Sequence, residues 1–202
     1  GGFYESDLFD FSNNSGRLRM GFNASNIGPR LKYDEGGQMN FIPTNLRIGS
    51  GFDIVFDDNN LLGIHLEFSK LLVPSPVATY DEDNKFLGYK QPDINFLSGI
   101  FESFNDAPDG LQEELKEITW ALGLEYLYNE TIAFRSGYFN ESEEKGSRRY
   151  ITLGTGFLLN FTKIDISYLF STSKVRNPLE NTLRFSLTFN INSNKDTSSL
   201  ED

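Results

Sequence analysis

The sequence has no cysteine, which removes disulfide frameworks, thiolate zinc sites and cysteine nucleophiles in one step. Histidine is almost missing too: His65 stands alone, leaving little for an imidazole metal centre or a hydrolytic triad. Basic residues are outnumbered, with 18 Lys and Arg against 29 Asp and Glu and a net charge of −11. That balance disfavours a nucleic-acid partner, because phosphate binding needs clustered positive charge. No apolar run approaches the ~20 residues of a membrane helix; Leu71-Leu72-Val73, ended by Pro74, is representative. Crossing a membrane by helices is excluded. The first residues, Gly1-Gly2-Phe3-Tyr4-Glu5, show neither the basic nor the apolar region of a secretory signal. The chain is therefore read as one that has lost a signal peptide or lacks its natural start.

Aromatics and glycine are plentiful: 19 Phe, 9 Tyr and 18 Gly in 202 residues. That mixture favours strands and turns and makes an all-β chain the expectation. Reading with period two gives eight segments in which apolar residues keep one parity and polar residues or glycine the other. They run over Arg17–Asn26, Thr44–Phe56, Leu61–Leu71, Ile118–Tyr128, Thr131–Phe139, Arg149–Phe161, Lys163–Ser171 and Thr182–Ile191. The apolar parity holds Leu122, Leu124, Leu153, Phe157, Phe185 and Leu187, which are assigned to a lipid face. The opposite parity holds Arg47, His65, Glu67, Glu125, Arg135 and Arg184, which are assigned to a lumen. Val55 is the exception to the pattern.

Segments of about ten residues exceed the usual soluble strand and match a tilted transmembrane strand. Their connections alternate. Asp57-Asp58-Asn59-Asn60, Asn129-Glu130 and the turn around Phe161-Thr162 are short, while 27–43, 72–117, 140–148 and 172–181 are long. Short turns on one side and long loops on the other are the plan of a bacterial outer-membrane barrel, with the short turns in the periplasm. Loop 72–117 holds ten acids and three bases, a balance of −7. Within it Ile94, Leu97, Ile100, Phe101 and Phe104 recur at helical spacing, so a short helix is expected over Asp93–Phe104, with a second turn or two at Leu111–Lys116. Leu97, Phe101, Phe104 and Asp106 are the candidate partner-docking residues. The segment 192–202 reads as a polar tail.

Catalytic and cofactor motifs are missing. Gly49-Ser50-Gly51 and Gly154-Thr155-Gly156 lie inside strands and do not complete a dinucleotide spacing. Glycines 21, 49, 51, 63, 123, 137, 154 and 156 all fall on the polar parity, where they relieve crowding in a sheet that coils around a lumen. His65 points inward and reads as a hydrogen-bonded lumen residue rather than a base. Inward Arg17, Arg19, Arg47, Arg135 and Arg184 are expected to pair with Glu67, Glu125 and Asp165. No catalytic, cofactor or metal residue is assigned.

Several stretches carry a resemblance. They are Phe41-Ile-Pro-Thr-Asn-Leu-Arg-Ile-Gly, Gly21-Phe-Asn with Asn26-Ile-Gly-Pro, Lys70-Leu-Leu-Val-Pro, Ser98-Gly-Ile-Phe with Ser103-Phe-Asn-Asp-Ala-Pro, Glu113-Glu-Leu-Lys-Glu-Ile-Thr-Trp, Arg135-Ser-Gly-Tyr-Phe-Asn-Glu, and Asn177-Pro-Leu-Glu-Asn-Thr-Leu-Arg-Phe-Ser-Leu. Together they resemble the PorV family of the type IX secretion system, whose members are outer-membrane barrels of the FadL type. The resemblance implies that residues 1–191 are the C-terminal portion of a barrel of about fourteen strands, and that about eight strands here form an open, curved antiparallel sheet. Phe3 to Phe11 would supply the remnant of a ninth. It further implies a non-enzymatic protein of the bacterial outer membrane that receives secreted cargo by its C-terminal signal domain and shuttles it to a sortase-type surface attachment complex. Its partners would be the translocon, the cargo domains and membrane lipids, with no cofactor. Two alternatives remain open: a FadL-like transporter of hydrophobic small molecules, and an outer-membrane enzyme modifying lipid A.

Overall fold

The computed structural model of the protein describes residues 1–32, 35, 37, 39–107, 110–159, 161–173 and 180–190. In chain order its elements are strands β1 (Gly2–Glu5), β2 (Phe9–Phe11), β3 (Asn14–Ser25), β4 (Leu31–Lys32), β5 (Met39–Asn40), β6 (Asn45–Asp57), β7 (Asn60–Leu71), β8 (Val77–Tyr80) and β9 (Phe86–Lys90). Helices α1 (Phe96–Glu102) and α2 (Leu111–Lys116) follow, and then β10 (Thr119–Tyr128), β11 (Ile132–Asn140), β12 (Arg149–Leu159), β13 (Thr162–Ser171) and β14 (Leu183–Phe189). The fold is all-β and antiparallel. Its one large sheet runs β1-β3-β6-β7-β10-β11-β12-β13-β14, and β2 pairs with β3 beyond the end of β1. Phe3 to Phe11 thus does supply a ninth sheet position, broken between Glu5 and Phe9 into two pieces.

Each of the eight segments read from the sequence is a strand, with ends shifted by a few residues. The first begins at Asn14 rather than Arg17, because Phe11 and Asn14 close a hairpin. The last is described from Leu183 to Phe189; Ile191 and the tail 192–202 lie outside the described residues, as do Asn160, Pro108, Asp109 and 174–179. Helix α1 is shorter than the expected Asp93–Phe104, and the hairpin β8–β9 and the short pair β4–β5 were not legible in period two.

The short turns have local causes. Asp57 accepts hydrogen bonds from the Asn59 backbone and the Asn60 amide, both at 2.8 Å, the side-chain turn that aspartate favours. Asn129 and Glu130 both take positive φ, 55° and 53°, and the Thr131 N–H donates to the Tyr128 carbonyl at 3.0 Å, a left-handed turn within the three residues that separate the paired Tyr128 and Ile132.

Cross-strand register keeps the two faces in phase across the sheet. Phe22 lies opposite Ile48, Ile48 opposite Phe68, Phe68 opposite Trp120, Leu122 opposite Tyr138, Tyr138 opposite Ile151 and Ile151 opposite Phe170. The other face reads Arg19, Gly51, His65, Gly123, Gly137, Thr152 in successive strands. Many large side chains of the first face are exposed, among them Leu122, Leu124, Leu153, Phe157, Phe185 and Leu187. Such an area cannot stay in water without association, and in lipid it is the favourable surface. On β10 the aromatic Trp120 and Tyr128 bracket Leu122 and Leu124. Eight residues of strand span about 27 Å, and aromatic girdles about an apolar band of that order are the pattern of an outer-membrane wall.

The polar face is concave. Glu5 of β1 and Thr152 of β12 line one cavity of about 960 Å³ although five strands separate their own. Among the described residues neither β1 nor β2 pairs with β14, so the sheet curls without closing.

Placing arginine on the apolar face tests this assignment. Leu187 lies opposite Ile164 on that face, and Ser186 lies opposite Asp165 on the other. Leu187→Arg should cost about 2–4 kcal/mol near the middle of the membrane and reduce the heat-modifiable, assembled form on gels. Ser186→Arg should be tolerated better, and equal losses would refute the two faces.

Candidate functional site

Two regions gather the polar chemistry: the concave face and the rim where the long loops meet. On the concave face glycines make room for large polar side chains. A side-chain carbon at Gly51 would fall 2.7 Å from Nδ1 of His65, and one at Gly63 would fall 2.8 Å from its Nε2. The imidazole therefore occupies space that two glycines leave free. Among the described residues it makes no hydrogen bond, so packing, rather than the hydrogen bonding expected of it, fixes the ring. Gly156 serves Arg135 in the same way, its absent carbon leaving the space that the guanidinium occupies.

The charges pair in two groups. Arg135 bonds Glu125 through Nε and Asp165 through Nη1, the latter at 2.6 Å, and Lys163 approaches Asp165 at 3.5 Å. Arg19 bonds Glu5 at 2.9 Å and forms an ion pair with Asp53 at 2.7 Å, and Arg17 reaches Glu5 at 3.4 Å. Asp53 is 1% exposed. The first group joins residues that parity had placed inward; in the second, Asp53 shares the polar parity of its segment but was not expected to pair, and Glu5 lies ahead of the first segment read. Arg47, Glu67 and Arg184 share this face but form no ion pair among the described residues, so the expected pairing of Glu67 is not made.

Towards the short turns this face becomes aliphatic. Val55 lies opposite Leu61, Leu61 opposite Leu127 and Leu127 opposite Ala133. A register shift between Val55 and Asp57 accompanies it, and Val55, the exception in the sequence pattern, is the first member of this row.

At the rim the long loops interlock. Arg30 in the first loop bonds Asp93 at 2.7 Å and the Pro92 carbonyl at 3.0 Å, tying it to loop 72–117. Phe41 from the same loop packs against Gly99 of α1, where any side chain would strike its ring or Pro74. Lys145 of the third loop bonds Glu113 at 2.8 Å and Glu117 at 3.0 Å, and Lys116 bonds Glu144 at 2.8 Å. Ser173 donates to the Ser147 carbonyl and joins the fourth loop.

The centre of this network is Lys70. It continues the apolar parity of β7 after Phe68, so it marks where the strand leaves the apolar band, and carboxylates of the loop above cover it. Its ammonium bonds Glu114 at 2.8 Å and Glu117 at 2.7 Å. The second oxygen of Glu114 accepts from the backbone N–H groups of Asp106 and Ala107 at 2.8 and 2.9 Å, and Asp106 accepts from the Ser75 N–H. Burial opposes ionisation of Glu114, yet the Lys70 hydrogen bond and these backbone donors outweigh it and hold its carboxyl below the usual range. Glu141, bonded to Arg148 at 2.7 Å, is held low in the same way. Asp106, Glu114 and Glu117 place carboxylate oxygens within 4.8 Å of one another, a spacing that suits a cation. The ammonium of Lys70 already supplies that cation.

The candidate docking residues sit on this scaffold. Leu97, Phe101 and Phe104 are 53, 74 and 46% exposed, while Asp106 turns inward into the Lys70 network. The sequence reading missed Lys70, Glu114 and Lys145. Its only signal for them was a lysine at an apolar-parity position.

Lys70→Met should leave Glu114 buried without its partner and loosen the loop by about 3–5 kcal/mol, read as faster protease cleavage within 72–117. Lys116→Ala breaks an exposed pair and should change it little. Because the Glu114 carboxyl is depressed in the folded protein, its contribution is present above its ordinary pKa and is lost as pH falls through the lowered value. Cleavage should stay slow from neutrality down to about pH 4 and accelerate below that.

Comparison with known proteins adds one finding. None of the curated proteins compared with the chain matches it. Residues 1–78, which span β1 to the first residues of β8 and include the motifs at Gly21, Phe41 and Lys70, match the family described as Type IX secretion system protein PorV, and this supports an outer-membrane component of that system.

Proposed function

We propose that the chain acts in type IX secretion as the outer-membrane protein that receives cargo by its C-terminal signal domain and passes it to the surface attachment complex. The observation that carries this reading is the family match over residues 1–78. The two-faced sheet supports it by giving the protein a wall for lipid and a rim of four joined loops on one side. In this reading the translocon, cargo domains and attachment complex meet the rim, because lipid covers the wall.

A carrier of hydrophobic molecules would need an apolar pocket; the concave cavity instead mixes Glu5, Arg19, Arg47, His65 and Glu67 with Phe3, Met20, Leu122, Phe139 and Tyr150, so it favours neither reading and the family match decides. A lipid-modifying enzyme would need a base and nucleophile in reach of each other, and His65 meets no hydroxyl among the described residues.

Replacing loop 72–117 by a short Gly/Ser turn should leave the barrel assembled, with unchanged heat-modifiable mobility, and abolish delivery of cargo to the cell surface. Normal surface delivery without the loop would remove the loop from the mechanism. Normal delivery in a strain lacking the whole protein would remove the function.

A further inference from the structure

Helix α1 has two unlike faces. Its underside is locked: Gly99 and Ser103 are buried, Gly99 lies against Phe41 and Pro74, and the Ser103 hydroxyl donates to the Ile100 carbonyl at 2.8 Å. Its start is capped by Asn95, whose side chain accepts from the Ser98 N–H at 2.8 Å. Seven residues of helix are unstable alone, so these contacts hold the helix in place. The opposite face carries Leu97, Phe101 and Phe104 into solvent. A loose loop would collapse to hide such side chains; one braced from beneath presents them.

The charge of the loop that carries this face selects what covers it. Loop 72–117 carries a balance of −7. Asp93, Glu113, Glu114 and Glu117 find basic partners and Asp106 turns inward to the Ser75 N–H, while Asp81, Glu82, Asp83 and Glu102 form no ion pair among the described residues, against two lysines of the same loop, Lys85 and Lys90, that form none either. Glu102 belongs to α1 itself and is exposed. Lipid phosphates would be repelled by this field, whereas a surface with lysine or arginine around an apolar socket would be attracted by it.

We propose that the exposed face of α1 is a docking surface for a protein whose contact patch sets basic side chains around an apolar socket that accepts Phe101. The inference rests on the reading of the chain as a secretion component and names the chemistry of its partner. Phe101 is the anchor, and Leu97 and Phe104 flank it. Glu102 and the acids of the loop steer the approach and fix the orientation.

The test uses the full-length protein in its native membrane, with a photo-crosslinking amino acid in place of Phe101. The expected result is a crosslink to one protein at a peptide rich in Lys or Arg, reduced at least tenfold by Glu102→Lys or by 0.5 M salt, and restored to Glu102→Lys by a Lys→Glu change in the captured peptide. A crosslink indifferent to charge reversal and to salt would overturn the proposal, as would no crosslink at all. A single cysteine at Phe101 carrying a fluorophore supplies the other arm. Quenching by nitroxide-labelled lipid in reconstituted vesicles would show a membrane contact and overturn the proposal too. Gly99→Leu, which should push α1 off Phe41, is expected to abolish the crosslink while leaving heat-modifiable mobility unchanged. Secretion in a strain lacking the protein is scored separately, so a failed secretion reading and a failed docking surface give different results.

Discussion

The register between neighbouring strands is the constraint on which everything else depends. A one-residue slip between any pair would carry the apolar set of one strand onto the polar face of the next. From Phe22 opposite Ile48 to Ile164 opposite Leu187, no such slip occurs between the two ends of the sheet. One irregularity, between Val55 and Asp57, falls at a turn, where it alters the end of a strand and leaves the wall intact. In lipid a strand can survive only with its backbone groups paired, so pairing and register together define which side chains meet the membrane.

Curvature follows from what the polar face lacks. Glycine at positions such as 51, 63 and 156 lets that face shrink while His65 and Arg135 fill the vacated space. The charges then pair across strands, Arg135 with Glu125 and Asp165, Arg19 with Asp53, so the concave side is held by contacts that no strand makes alone. The rim repeats the principle with loops. Lys70 ends a strand and anchors Glu114 and Glu117, and Lys145 ties the same acids to a third loop. The long acidic connection is thereby an ordered platform rather than a slack tether.

Period two made the wall legible because each strand carries its own record of which side is which. Leu122, Leu124 and Tyr126 need no knowledge of their neighbours to be assigned to one face. Paired charges were only half legible. The inward arginines announced themselves by parity, but Asp53 and Glu5 could be matched to Arg19 only once β1, β3 and β6 were placed side by side. The hairpin of Val77–Tyr80 and Phe86–Lys90 was missed because its strands are short and their alternation is broken by a register shift at Tyr80. Lys70 was hidden for another reason: its partners lie 44 and 47 residues away in a loop whose fold no periodicity describes.

The central claim is that a single face of this sheet meets lipid. A nitroxide scan along β10 in reconstituted membranes tests it most directly, comparing relaxation by oxygen with relaxation by a water-soluble nickel complex. Labels at 122, 124 and 126 should favour oxygen and labels at 121, 123 and 125 the nickel complex, a clean alternation with period two. The same preference at all six positions, or an alternation of the opposite phase, would contradict it.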